Sequence, residues 1–234
     1  MPSQSLRGAL IKFSESFPIP VPNVILFQYN PETMTHSWTP AQTGGANTPG
    51  QNPSNPLAIS GSPEESFSFT LMMDSNDTIA DGSAVAAGLA TASGGYSRLA
   101  ALELMMFPTA PPGDGLIGTI SSAIGLASPP PATAVPAAQL PTALFIWGPG
   151  RIVPVKMTTL TITEKLYDGT LLNPIHAEAQ VTLKVLTTEE LKLVDGPLGT
   201  VASAASTYSS GLREALAIAN LANSVESIIG MLPV

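Results

Sequence analysis

The sequence predicts a mainly β chain of the α+β class, with a flanking helix, a long β-hairpin and a C-terminal helix. Three observations predict it. From 175 to 185 the residues alternate strictly. Ile175, Ala177, Ala179, Val181, Leu183 and Val185 fall on one face; His176, Glu178, Gln180, Thr182 and Lys184 fall on the other. That period of two marks a half-buried strand. A shorter run at 66–73 alternates in the same way, and 198–232 carries apolar residues at three- and four-residue steps.

The first segment, 6–17, is short and mixed, and Pro18, Pro20 and Pro22 then hold the chain extended. Residues 24–30 (VILFQYN) read as a strand that stops at Asn30-Pro31, because a residue before proline is pushed out of the helical region. Residues 38–63 form a long loop rich in Pro, Gly, Asn and Ser. In 66–73, Phe67, Phe69, Leu71 and Met73 share one face. Residues 74–82 read as a polar turn, and 84–107 as helical, most securely over 96–106. A second long loop, 108–141, is followed by a strand at 142–147 that is apolar on both faces, as in a sheet interior.

The long hairpin occupies 151–187. Its second arm alone, eleven residues at about 3.3 Å each, reaches about 36 Å, beyond the usual strand of five or six. In its first arm the phase slips. Val153, Val155 and Met157 share one face under strict alternation, while Leu160 and Ile162 take the other. A β-bulge at Thr158-Thr159 accounts for the slip. Residues 188–194 read as a short helical turn ended by Asp195-Gly196-Pro197, and 198–232 as a helix weakened at Gly211 by about 1 kcal/mol relative to alanine. The expected organisation is a β domain at 1–195 and a helical arm at 196–234. That arm either folds back on its own sheet or docks on a neighbouring subunit.

Composition narrows function. The chain has 234 residues, of which only 11% are charged, against about 25% in a soluble domain. Mean hydropathy is +0.27. Either Ser, Thr, Asn and Gln replace charge at the surface, or other subunits cover much of it. Net charge is −8 and the nine basic residues are scattered, a poor basis for binding nucleic acid. With no cysteine, disulfides, thiolate metal sites and cysteine nucleophiles are excluded. The N-terminal apolar stretch is short and carries Lys12 and Glu15, so no signal peptide is expected. Prolines interrupt the uncharged stretch at 115–150, so no membrane insertion is expected there.

No nucleophile elbow, phosphate-binding loop, dinucleotide fingerprint or zinc-protease motif is present. His36 and His176 lie in unrelated segments, and His176 on a polar strand face reads as a solvated side chain. Adjacent pairs Glu64-Glu65 and Glu189-Glu190 need not share a site. Asp74, Asp77 and Asp81 lack the spacing of a calcium loop and read as the turn before a helix. Phe27, Tyr29, Phe67, Phe69, Phe145 and Trp147 read as core. The chain is expected to be no enzyme and to use no cofactor and no metal.

Three pieces carry a resemblance. FQYNPETM at 27–34, with Phe27, Tyr29, Asn30 and Pro31, resembles an early strand and turn; ALFIWG at 143–148 resembles a strand before a long hairpin; LTITEKLYDGTLLN at 160–173, then Pro174 and AEAQVTLKVL, resembles that hairpin. In this order they are similar to the tube-like baseplate protein of phage-tail-like contractile injection systems, the adaptor that joins spike to inner tube. The likeness runs over most of residues 10–195.

The resemblance implies a tail-tube-like subunit: two packed β-sheets, a sandwich or barrel, with a helix. Six copies would form a homo-hexameric ring whose hairpins join into a β-barrel around a lumen. The spike protein would bind one side, the inner tube protein the other, with further baseplate subunits around it. His176, Glu178, Gln180, Thr182 and Lys184 would face the lumen; Leu160, Ile162, Tyr167, Asn173 and Pro174 would form the hairpin and turn that pair subunits. The chain would assemble in the cytoplasm into a phage-tail-like particle. Relatives often end in a LysM-type peptidoglycan-binding domain, which is not found here. The alternatives are the inner tube protein itself and a soluble module that captures a peptide with its proline-rich loops.

Overall fold

A computed structural model of the chain describes residues 6–14, 21–40, 61–81, 84–107, 140–194 and 196–231. Most of the two long loops expected at 38–63 and 108–141 falls outside these residues. The strands are β1 (Ala9–Ser14), β2 (Val21–Leu26), β3 (Met34–Thr39), β4 (Glu64–Asp74), β5 (Ala143–Ile146), β6 (Ile152–Tyr167) and β7 (Pro174–Val185). The helices are α1 (Ser75–Asp81), α2 (Ala84–Ser93), α3 (Tyr96–Glu103), α4 (Thr188–Leu191) and α5 (Gly196–Met231).

All seven strands belong to one antiparallel sheet in the order β2-β1-β5-β6-β7-β4-β3. The chain is mainly β, with one open sheet in place of two separately hydrogen-bonded ones. The sheet is strongly curled. Phe145 of β5 lies 5.4 Å from Phe67 and 5.5 Å from Phe69 of β4, measured between ring centres, although β6 and β7 intervene. Three steps across a flat sheet, at about 4.8 Å each, would separate those backbones by about 14 Å. The right-handed twist of strands provides such coiling. Inside the curl, Phe27, Phe67 and Phe145 are buried with Leu99, Leu102 and Met105 of the α3 segment. Phe27 follows β2 and meets both Phe69 and Phe145.

The bulge expected at Thr158-Thr159 is present as a register shift between Met157 and Thr159. Its consequence is specific. Met157 pairs with Leu183, Leu160 with Val181 and Ile162 with Ala179, so the apolar residues on either side of the bulge stay on the same face. On β7, Ala177, Ala179, Val181 and Leu183 are buried as the alternation requires.

Several elements differ from expectation. The mixed segment at 6–17 contains β1, which pairs on both sides, with Leu10 opposite Phe145 and Ile25. Partner strands override its irregular pattern. The strand expected at 24–30 is β2, ending at Leu26. A second unexpected strand, β3, has one buried neighbour and a largely exposed set of side chains, so it shows little hydrophobic alternation. The polar turn at 74–82 is helix α1, started by Asp74, whose Oδ1 accepts the Asn76 N–H at 2.8 Å. The helix expected over 84–107 is broken at Gly94-Gly95 into α2 and α3. Gly94 sits at φ +56°, and a Cβ there would come within 2.8 Å of the Pro174 carbonyl. Of the aromatics expected in the core, Tyr29 is exposed and its hydroxyl donates to Asp77.

Helix α4 opens with a capping box. Thr187 Oγ1 accepts the Glu190 N–H, while the Glu190 carboxylate accepts the Thr187 N–H at 2.9 Å. Close packing of α5 on the preceding turn requires Gly199, because a Cβ there would lie 2.0 Å from the Val194 carbonyl. Helix α5 begins two residues earlier than expected, at Gly196, and runs 36 residues, about 54 Å at 1.5 Å per residue.

Candidate functional site: the polar sheet face and the hairpin tip

Opposite the core, the middle of the sheet forms a polar wall three strands wide. The ladder sets its rows. Lys184 of β7 lies between Ser66 and Lys156, Thr182 between Ser68 and Thr159, and Gln180 between Thr70 and Thr161. Glu178 lies between Met72 and Thr163, and His176 between Asp74 and Lys165. Every residue expected to face a lumen therefore shares one surface. Hydroxyls fill its centre, and charge sits toward its ends. Lys184 Nζ meets Glu64 Oε1 at 2.6 Å, Lys156 Nζ meets Glu190 Oε1 at 2.8 Å, and Lys165 Nζ meets Glu178 Oε1 at 2.5 Å. The bond from Lys165 holds the Glu178 carboxyl below its ordinary pKa, and the bond to Glu64 holds Lys184 above its own. Lysines and glutamates pair off at both ends, so the wall presents hydrogen-bonding groups with little unpaired charge.

The hairpin residues expected to pair subunits divide. Leu160 and Ile162 pack partly on the chain's own core. Asn173 Nδ2 donates to the Ala92 carbonyl at 3.2 Å, and the Pro174 carbonyl accepts the Gly95 N–H at 2.9 Å, so both tie the hairpin to the α2–α3 junction. Tyr167 remains exposed, its hydroxyl donating to Glu164 at 3.2 Å. Around it lies an apolar tip that sequence reading does not single out: Leu166 and Leu172, 71% and 69% exposed, with Leu171. Both Leu166 and Leu172 have positive φ, 54° and 56°. For a residue with a Cβ that conformation costs about 1–2 kcal/mol. The turn itself is rigid. Asp168 accepts the N–H groups of Thr170 at 2.8 Å and Leu171 at 2.9 Å, and these bonds hold its carboxyl below the ordinary carboxylate range.

Of the family-like motif, Phe27 is core and Asn30 ties the chain start, its Oδ1 accepting the Gly8 N–H at 2.9 Å and its Nδ2 donating to the Leu6 carbonyl at 2.8 Å. Pro31 is partly buried in the turn between β2 and β3. These are scaffold roles.

Helix α5 docks through residues up to Arg213. Ser209 Oγ donates to the Ile152 carbonyl at 2.6 Å, and the Tyr208 hydroxyl donates to the Pro149 carbonyl at 2.9 Å. Arg213 binds both oxygens of Glu65, at 3.1 and 3.2 Å, and covers the Trp38 ring at 4.6 Å. The helix thus reaches from β6 to β3 and β4 across the end of the core. Past Arg213, Leu216, Ile218 and Leu221 are exposed. The reading of the arm as folded on its own sheet holds for its residues up to Arg213.

Among the described residues, no three His, Asp or Glu side chains cluster as a metal site would. Among them too, no helix is long and apolar enough to cross a membrane. No protein-family model matches the chain, and no curated protein matches it.

Proposed function

We propose that this chain is a structural ring subunit of a phage-tail-like contractile injection system, placed in the baseplate between spike and inner tube. The observation that carries the proposal is the polar wall: three long strands present a hydroxyl-rich surface, interrupted only by Met72 among the paired residues, opposite a packed core. A monomer gains little from so regular a polar face, whereas a ring gains a lumen of low adhesion. In this reading the curled sheet is the tail-tube-like subunit fold, its two halves serving as the packed sheets. His176, Glu178, Gln180, Thr182 and Lys184 line the channel.

Among the described residues the sheet has two free edges, β2 and β3. An unpaired edge is a template for another strand, and β3 carries no proline and no Lys, Asp or Glu to discourage pairing. Ring closure removes such edges when the same two surfaces meet head to tail around six copies. The exposed hairpin tip at Leu166, Tyr167 and Leu172 and the exposed residues of α5 past Arg213 give further contact area. The mechanism is templating: the ring matches the spike on one side and presents a six-fold rim to tube subunits on the other. Assembly takes place in the cytoplasm.

Light scattering on the purified protein tests this. Six chains of 24.1 kDa give about 145 kDa. That mass is expected at micromolar concentration. A monodisperse 24.1 kDa species at high concentration would refute the ring.

A further inference from the structure

A cavity of about 310 Å³ opens between β2, α1 and the α2–α3 junction, bordered by Asp74 at the end of the polar wall. One side is apolar, with Val24, Leu26, Ala90 and Ala101; the other carries Arg98, Gln28 and Ser97. Its volume is at the lower end for small-molecule pockets. Arg98 is the group that the fold leaves unmatched. It is half-buried, and Nη1 donates to Gln28 Oε1 at 2.5 Å. Gln28 is itself fixed: its Nε2 donates to the Asp74 carbonyl at 2.7 Å and its Oε1 accepts the Asp74 N–H at 3.0 Å. The guanidinium is therefore held in place by a neutral side chain.

A guanidinium has five N–H donors, and among the described residues no carboxylate lies within salt-bridge distance of Arg98. The two nearby aspartates are engaged elsewhere. Asp74 starts α1 and faces His176 at 3.6 Å, and Asp77 accepts the Tyr29 hydroxyl. Burial first, and then the like charge of Arg7, push the Arg98 pKa below the usual arginine range. In a chain of net charge −8 with nine basic residues, two arginines are brought near each other while the remaining acids stay out of reach.

We propose that this cavity is a binding site for a small organic monoanion, a carboxylate on a short apolar body, with Arg98 as its anchor. Carboxylates pair with guanidinium in a bidentate fork. The apolar side of the cavity takes the hydrocarbon. A single negative charge fits better than a double one, because Asp74 borders the same space and repels a dianion. The proposal is independent of the ring.

Titration calorimetry on the full chain tests it with hexanoate, acetate, hexanamide and inorganic phosphate. Hexanoate is expected to bind saturably, at least tenfold more tightly than acetate, hexanamide or phosphate. Arg98→Gln is expected to weaken hexanoate at least tenfold, Arg7→Gln a few-fold, and Lys192→Gln not at all, with melting curves of all three recorded. If Arg98→Gln does not fold, the exposed Arg7→Gln and the hexanamide comparison decide. Equal affinity for acetate and hexanoate, tighter binding of phosphate, or no saturable heat from hexanoate overturns the proposal. So does full-strength binding by a folded Arg98→Gln protein.

Discussion

Glu65 is buried, and its carboxylate is held by Arg213 at 3.1 Å and by His36 Nε2 at 2.8 Å. Both partners come from elements remote in sequence, so one side chain fastens α5 and β3 to β4. Glu65→Gln keeps one acceptor oxygen but replaces the other with an NH2 donor and removes the buried negative charge facing Arg213, and a loss of roughly 1–3 kcal/mol is expected by chemical denaturation. Truncating Phe145, at the centre of four ring contacts, is expected to cost about 3–5 kcal/mol. The hairpin tip should behave in the opposite sense. Leu166→Asn and Leu172→Asn replace residues held at positive φ with one that tolerates it, so each should raise the stability of the single chain by up to about 1 kcal/mol. The same changes remove exposed apolar surface and should lower the assembled mass. Strain kept at an exposed tip is the expected mark of a contact surface, and unchanged assembly in both variants would count against it. The Glu178 carboxyl gives a pH signature. Its pKa is depressed in the folded chain by Lys165, so the bond's contribution is present above the ordinary carboxylate value and fades as pH falls through the folded one. An NMR titration should place Glu178 below 4.5 in the wild-type chain and return it toward 4.5 in Lys165→Gln.

The bulge in β6 decides which face its apolar residues occupy. Deleting Thr158 would restore strict alternation and drive either Val155 and Met157 or Leu160 and Ile162 out of the core. The deletion is expected to abolish the cooperative unfolding transition, whereas Thr158→Ala, at an exposed position, should cost about 1 kcal/mol or less. This bulge was legible in the sequence because five apolar residues on one strand could share a face only through an inserted residue. The alternation of β7, the apolar β5 and the spacing of α5 were legible for the same reason: each carries its environment in its own period. β1 and β3 were not. Leu10 and Ile11 are consecutive apolar residues in a strand paired on both sides, and β3 is an edge strand with mostly exposed side chains, so neither shows a period of two. Signals for α1 and α4 were present as caps, Asp74 before α1 and the Thr187-x-x-Glu190 box before α4. The face shared by His176, Glu178, Gln180, Thr182 and Lys184 was legible from β7 alone. Its width was not, since Thr161 and Thr163 join it only through pairing across the bulge. The Arg98 cavity had no sequence signal, because it depends on Gln28 and Asp74 meeting across 46 residues.

At the scale of the molecule, one open sheet curls around an aromatic core, exposes a polar wall on its outer side and leaves edges at β2 and β3. Helix α5 closes one end of the core with residues up to Arg213 and carries Leu216, Ile218 and Leu221 exposed beyond it. A chain ending after residue 213 should therefore keep the wild-type melting temperature within a few degrees while its assembly weakens. A large fall in melting temperature would show that the residues past Arg213 belong to the monomer's own core. The central claim, that the polar wall lines a channel, is tested most directly by cryo-electron microscopy of the purified protein. The account predicts six-fold rings in which the β7 side chains Glu178, Gln180, Thr182 and Lys184 point into an open lumen. Single chains, or rings with that face turned outward, would contradict it.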